Sequence, residues 1–166
     1  MRKALVLYYS WSNGNTERVA TRLAEACGAD LERIRTAIPY PDDYDETVEQ
    51  GRLEVEEGFE PELEPLEHDP ADYDVIAVGT PTWWYTMAPA VASLLSAQDL
   101  AGKLVVPFMT NAGWPGSVIE DMTEAAAPAT VIEPMEVRFD SNGGSRMVTS
   151  QDDVDAWAGR IANLVR

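Results

Sequence analysis

Three short segments of this chain hold the residue types that chemistry needs. The first is Ser10-Trp11-Ser12-Asn13-Gly14-Asn15-Thr16, a run of hydroxyls, carboxamides and one glycine just ahead of a helical pattern. Backbone N–H groups at a helix start, with the positive end of the helix dipole, make a ready anion site. Ser10, Ser12, Asn15 and Thr16 add side-chain donors, and Gly14 lets the backbone approach a ligand closely. The loop holds no Lys or Arg, and neither G-x-x-x-x-G-K-[ST] nor G-x-G-x-x-G occurs in it. A magnesium-bound triphosphate and a dinucleotide are therefore disfavoured, and a neutral donor cradle suits one terminal phosphate. An ordinary strand–helix turn with capping hydroxyls would contain the same residues.

The second segment is Pro81-Thr82-Trp83-Trp84-Tyr85, placed after a run that reads as a strand. Aromatic faces there offer a planar ligand stacking worth about 0.5–1.5 kcal/mol per pair beyond area burial. One of the three aromatics is expected to pack under a neighbouring loop instead. Trp83 is expected to stack on the ligand, so its loss should change the ligand more than the fold. The third segment, Asn111-Ala112-Gly113-Trp114, adds another aromatic and a backbone stretch able to lie along the polar edge of a ring. A phosphate cradle, an aromatic clamp and a backbone loop together are the layout of an FMN site.

The elements that must position these loops alternate between two periods. Ala4 to Tyr9, Val75 to Gly79 and Lys103 to Thr110 are apolar runs of the kind that strands covered on both faces show. Leu31 to Ile34 reads as a short strand, and Thr130 to Val137 as another that Pro134 interrupts. Pro107 is awkward in a central strand, and the residues suggest a bulge there. Between the strands, Thr16 to Cys27 has Val19, Leu23 and Cys27 four apart, with Gly28 closing the segment. Val91, Leu94 and Leu95 give a second helix its inner face, and Val118 to Ala127 reads as a third. In the last helix Ser150 caps, Asp153 reciprocates, and Val154, Trp157, Ile161 and Leu164 form one stripe. Alternation of this kind predicts one doubly wound α/β domain over residues 1–166, with a parallel sheet and helices on both faces. Ligands bind beyond the carboxyl ends of such strands, where the strand order reverses.

Composition narrows the functions. With 29 acids against 12 bases the formal charge is −17. That excludes nucleic acid and anionic membrane surfaces as natural partners, since both need Lys and Arg. The run Asp42 to Asp74 is read as a solvated face, with an exposed helix over Asp45 to Glu57 and irregular chain from Pro61 to Pro70. Cys27 and His68 are the only residues of their kinds and lie apart, so neither a disulfide, a Cys–His nucleophile nor a metal site is expected. The chain starts straight into a strand and has no ~20-residue apolar run, so a cytoplasmic location is expected.

Tyr9-Ser10-Trp11-Ser12 through Asn15-Thr16, Gly79-Thr80-Pro81-Thr82-Trp83-Trp84 and Phe108-Met109-Thr110-Asn111-Ala112-Gly113 resemble the flavodoxin family over nearly the whole chain. In particular they resemble its subgroup with S-W-S-G-N-T-type loops and a double Trp. The resemblance implies a flavodoxin-like five-stranded sheet in the order 2-1-3-4-5. It implies that Ser10, Ser12, Gly14, Asn15 and Thr16 hold the FMN phosphate. Thr82, Trp83 and Trp84 would flank the ring, and Asn111 to Gly113 would line its pyrimidine side. Asn13 is an extra residue against the S-x-S/T-G-N-T pattern, and a left-handed turn is one use for it. Trp84 stands where many one-electron flavodoxins have a Gly whose peptide flips toward the reduced ring, and positive φ is unfavourable for so bulky a residue. The function implied is electron transfer through non-covalently bound FMN, with a redox partner protein or a small acceptor such as a quinone. The alternative is an NAD(P)H-dependent quinone-type oxidoreductase. A phosphoacceptor signalling domain shares the sheet order but needs an Asp at the third strand's end, where Gly79-Thr80-Pro81 stands. A non-redox binding module is the remaining alternative.

Overall fold

The computed structural model describes every residue, Met1–Arg166. The chain runs β1 (Ala4–Tyr8), α1 (Asn15–Cys27), β2 (Asp30–Arg33), α2 (Tyr44–Glu57) and a 3-10 turn at Pro70–Asp72. It continues through β3 (Val75–Trp83), β4 (Thr86–Met87), α3 (Pro89–Ala97), β5 (Leu104–Asn111) and α4 (Val118–Ala126). Strands β6 (Thr130–Val131) and β7 (Met135–Arg138) and helix α5 (Gln151–Val165) complete it. The sheet has seven strands in the order β2-β1-β3-β5-β6, with β7 also on β5 and β4 on β3. Only the β3–β4 pair is antiparallel. Strands β6 and β7 pair with the two ends of β5 and act as one interrupted strand. Counted so, the path is the anticipated 2-1-3-4-5, with β4 as an addition.

Alternation along β1 divides the core. Leu5 and Leu7 join Ile76, Val78, Val105 and Met109 beneath α3 and α4. Val6 and Tyr8 join Val75, Ala77, Val106, Phe108 and Val137 beneath α1 and α5. The central strands β1, β3 and β5 thus bury both faces, which is why their runs are continuous rather than alternating. Helix α1 ends at Gly28 with φ 62, the left-handed conformation that glycine adopts without a Cβ clash. Helix α5 is capped by Ser150, whose side chain accepts from the Asp153 N–H. Asp153 makes no return bond, and Val165 rather than Leu164 ends the buried stripe.

Pro107 needs no bulge. The Val105 carbonyl accepts from Ile132 N–H and the Asn111 carbonyl from Phe139 N–H, so odd-numbered residues of β5 face the fifth strand. On that alternation Pro107 faces the gap between β6 and β7, where Glu133 takes φ 47. Its missing donor falls where the ladder is already broken.

The acidic stretch is less uniformly solvated than its composition suggests. Helix α2 buries Thr47, Gly51 and Glu54. Glu32 on β2 accepts from the N–H groups of Glu67 and His68 and from the His68 ring, which fastens the irregular segment to the sheet. Burial opposes ionisation of Glu32, but these donors outweigh it and hold the carboxyl below its usual range. Cys27 is half-buried, and burial pushes its thiol up.

Candidate functional site

One cleft of about 450 Å³ opens at the carboxyl ends of β1, β3, β5 and β7. The volume lies in the range of small-molecule sites. Of the residues expected from sequence, Ser10, Ser12, Asn13, Gly14, Asn15, Thr16, Pro81, Thr82, Trp83, Trp84, Asn111 and Ala112 line it. Tyr85, Gly113 and Trp114 do not. Tyr85 is the outer residue of a turn, and Trp114 stands 59% exposed to solvent. Gly113 has φ 112 and packs against the Arg138 guanidinium instead of the cleft.

At one end lies the start of α1. Gly14 is its cap residue, with φ 74, and no side chain caps the helix. Helices α2 and α5 are capped by Asp43 and Ser150, whereas α3 and α4, like α1, have no side-chain cap, and of these three only the start of α1 lines the cleft. The first-turn N–H groups of α1 are thus left to the cleft, where they and the helix dipole favour an anion. No Lys or Arg lines the cleft, so the donors there are neutral. The side chains are used differently from the sequence expectation. Asn13 donates to the Gly143 carbonyl and Asn15 to the Gly144 carbonyl at 3.0 Å. Thr16, 2% exposed, shares a 2.8 Å hydrogen bond with the Thr110 hydroxyl. The positive φ belongs to Gly14, so Asn13 serves as a tie to the loop beyond β7 and not as a left-handed insertion.

At the other end, β3 runs on past Gly79 to Trp83 and folds back into β4, with Trp83 paired to Thr86. Trp84 and Tyr85 form the two-residue turn, at φ 49 and φ 66. Two positive φ values in such a turn match the twist of the strands it joins, a geometry that Asn-Gly normally supplies. The expectation that Trp84 avoids positive φ is therefore overturned. Tertiary bonds hold the turn: the Trp84 indole N–H donates to the Val48 carbonyl at 2.9 Å, and Ser117 N–H donates to the Tyr85 carbonyl at 2.8 Å. Trp83 is the aromatic that packs inward. Its ring meets Tyr40 edge-on with centroids 5.0 Å apart and Tyr9 at 5.7 Å.

Asn111 lies at the end of β5. Its Oδ1 accepts from Gly113 N–H at 2.6 Å, whereas its Nδ2 is buried with no hydrogen-bond partner. Among the buried side-chain polar atoms it alone lacks one, and its residue is 9% exposed and lines the cleft. A buried donor of that kind costs about 1–3 kcal/mol unless a ligand accepts from it.

Sequence reasoning missed two walls. Tyr44, Thr47, Val48 and Gly51 come from α2, and Phe139, Asp140, Gly143 and Gly144 from the loop after β7. Both left signals. Gly51 interrupts a helix where a Cβ would come within 3.0 Å of the Trp83 ring. Asp140-Ser141-Asn142-Gly143-Gly144-Ser145 has the small, polar composition of the first loop and follows the last strand.

Comparison with known proteins places this geometry. The chain resembles a flavoprotein from Lactobacillus acidophilus NCFM solved in complex with FMN, at 26% identity and TM-score 0.71, over 82% of this chain and 93% of that one. It resembles a candidate flavoprotein from Bacteroides eggerthii DSM 20697 at 27% identity and TM-score 0.78, over 98% and 99% of the two chains. A flavodoxin, WrbA-like protein from Agrobacterium tumefaciens shares the fold at 21% identity and TM-score 0.61, over 100% and 98%. No curated protein matches. The family model described as Flavodoxin matches residues 3–160, nearly the full length, and the chain belongs to that family.

Proposed function

We propose that this chain binds FMN non-covalently in the cleft and transfers electrons through it. The observation that carries the reading is the buried, unpartnered Asn111 Nδ2 in a cleft that also holds an uncapped helix start. The residues present fit the cofactor. The first-turn N–H groups of α1, with Ser10 and Ser12, would hold the phosphate. Trp84 and Trp83 would border the ring, and Asn111 would donate to one of its acceptor atoms. When bound, the isoalloxazine ring supplies reversible electron uptake, and the protein tunes and shields it. The FMN complex of the Lactobacillus acidophilus relative supports the choice of cofactor.

Electron carriage is the role we favour. The exposed Trp84, Tyr85 and Trp114 leave that end of the molecule open to a second protein. Net charge of −17 would steer a partner carrying basic residues and repel the anionic NAD(P)H. A neutral acceptor such as a quinone is tolerated by the same field. Reconstitution with FMN, followed by anaerobic mixing of the oxidised holoprotein with NADPH, tests this. A carrier stays oxidised on the timescale of mixing until a reductase protein is added. Rapid reduction by NADPH alone would assign the oxidoreductase role instead.

A further inference from the structure

The loop Ser10–Thr16 has no charged side chain, and the chain around it sums to −17. A phosphate group brings about −1.5 to −2 more at neutral pH. Dipoles alone would then have to attract a dianion against a negative field. Glu17, in the first turn of α1, sets a carboxylate beside the same N–H groups. One basic side chain hydrogen-bonds to the loop, and it does so from outside the cleft. Arg33, the last residue of β2, donates from Nη2 to the Ser10 carbonyl at 2.7 Å, and its Nη1 lies 3.6 Å from Glu17 Oε2. Its guanidinium also lies over the Tyr8 ring, 5.9 Å from the centroid. Ser10 is buried and lines the cleft, whereas Arg33 does not. With the two side chains of the ion pair 35% and 45% exposed, the pair adds little to stability, so the fold alone does not account for it.

The peptide between Ser10 and Trp11 is where this charge reaches the loop. In a trans peptide the N–H points opposite to the C=O, so the bond that turns the Ser10 carbonyl toward Arg33 turns the Trp11 N–H away from it. That N–H makes no hydrogen bond within the chain, and Trp11 lines the cleft. A charge-assisted bond on the carbonyl polarises the peptide and strengthens its N–H as a donor.

We infer that Arg33 is a positioning residue for the flavin phosphate. It fixes and polarises the Ser10–Trp11 peptide, partly neutralises the Glu17 carboxylate, and supplies the one positive charge bonded to the loop. The inference rests on reading the cleft as an FMN site. It explains how a cradle of neutral donors holds an anion in so acidic a protein, and it makes Arg33 a determinant of the choice between phosphorylated and unphosphorylated flavins.

Dissociation constants of the apoprotein for FMN and for riboflavin, measured by fluorescence titration, test the inference. Their ratio reads the phosphate alone, because ring and ribityl chain are common to both ligands. Folding of each variant is established first from its thermal melt, and Arg33→Met takes the place of Arg33→Gln if the latter does not fold. Arg33→Gln keeps a donor for Ser10 but loses the charge. It should weaken FMN about tenfold, the range of one charge-assisted hydrogen bond, and leave riboflavin within about twofold. Arg33→Lys, which keeps the charge, should recover most of the wild-type ratio. Arg35→Gln removes the same charge from an exposed side chain two residues further on, and should leave the ratio within about twofold of wild type. At about 1 M salt, where screening acts within about 3 Å, the deficit of Arg33→Gln should shrink. The inference is overturned by an Arg33→Gln that weakens both flavins equally or neither, or by a deficit that salt does not touch. An Arg33→Lys no better than Arg33→Gln overturns it too, as does an Arg35→Gln that lowers the ratio as much. A wild type that binds both flavins alike sinks the phosphate reading itself, whereas discrimination that survives Arg33→Gln sinks only the role of Arg33.

Discussion

Trp83 sits where the cleft meets the core, and the two environments make separate demands on it. Its position on the cleft was legible as an aromatic just beyond an apolar run, but its contacts with Tyr9, Tyr40 and Gly51 were not. Those partners are distant in sequence, and no local pattern announces them. The consequence is a changed expectation: Trp83→Ala should cost about 2 kcal/mol, since a half-buried ring loses part of the 3–5 kcal/mol of a core Trp truncation. Trp157, fully buried against Phe108 and donating to the Glu133 carbonyl at 2.8 Å, should cost the whole of that range on truncation. Chemical denaturation of the two variants side by side checks the ordering. Asn111 makes the opposite kind of prediction. Asn111→Ala should change stability little, because one hydrogen bond is lost while one unsatisfied donor is removed. Its FMN affinity should fall about tenfold, as the loss of one hydrogen bond of about 1.4 kcal/mol implies. An unchanged affinity by fluorescence titration would show that Nδ2 never meets the ligand.

At the scale of elements, the centre of the sheet was readable because β1, β3 and β5 bury both faces and so leave unbroken apolar runs. Even the interruption at Pro134 was visible, though the reason Pro107 is tolerated needed the register of β6 and β7. Strand β4 and its turn were not readable. Turn chemistry predicts Asn or Gly at two positive φ values, and Trp84-Tyr85 obeys tertiary contacts instead. Such residues store about 1–3 kcal/mol each, and stored strain of this kind gathers at binding sites. Tyr85→Gly should therefore stabilise the protein by about 1 kcal/mol, the strain relieved less the extra entropy of the unfolded glycine. Gly116→Ala should do the reverse, since the added Cβ would lie 2.1 Å from the Tyr85 carbonyl oxygen at a backbone φ of 57. Melting temperatures that move the other way in both variants would show that the turn is unstrained.

For the whole molecule, the charge of −17 was explicit in the sequence, yet which acids approach the cleft was not. Asp140 is the one acid that lines it, brought there by the loop after β7. The summed field should oppose the negative charge added on full reduction of a bound flavin. The midpoint potential should accordingly lie below that of free FMN and rise as salt screens the field, which spectroelectrochemistry at two ionic strengths would measure. The same field opposes the phosphate itself, so retention of FMN depends on the N–H groups at the start of α1. Comparing dissociation constants for FMN and riboflavin puts that dependence to the sharpest test. Losing two charge-assisted hydrogen bonds of about 1.5–3 kcal/mol each should weaken riboflavin by about 100-fold or more. Equal constants for the two flavins would contradict the assignment of the uncapped helix start as a phosphate site.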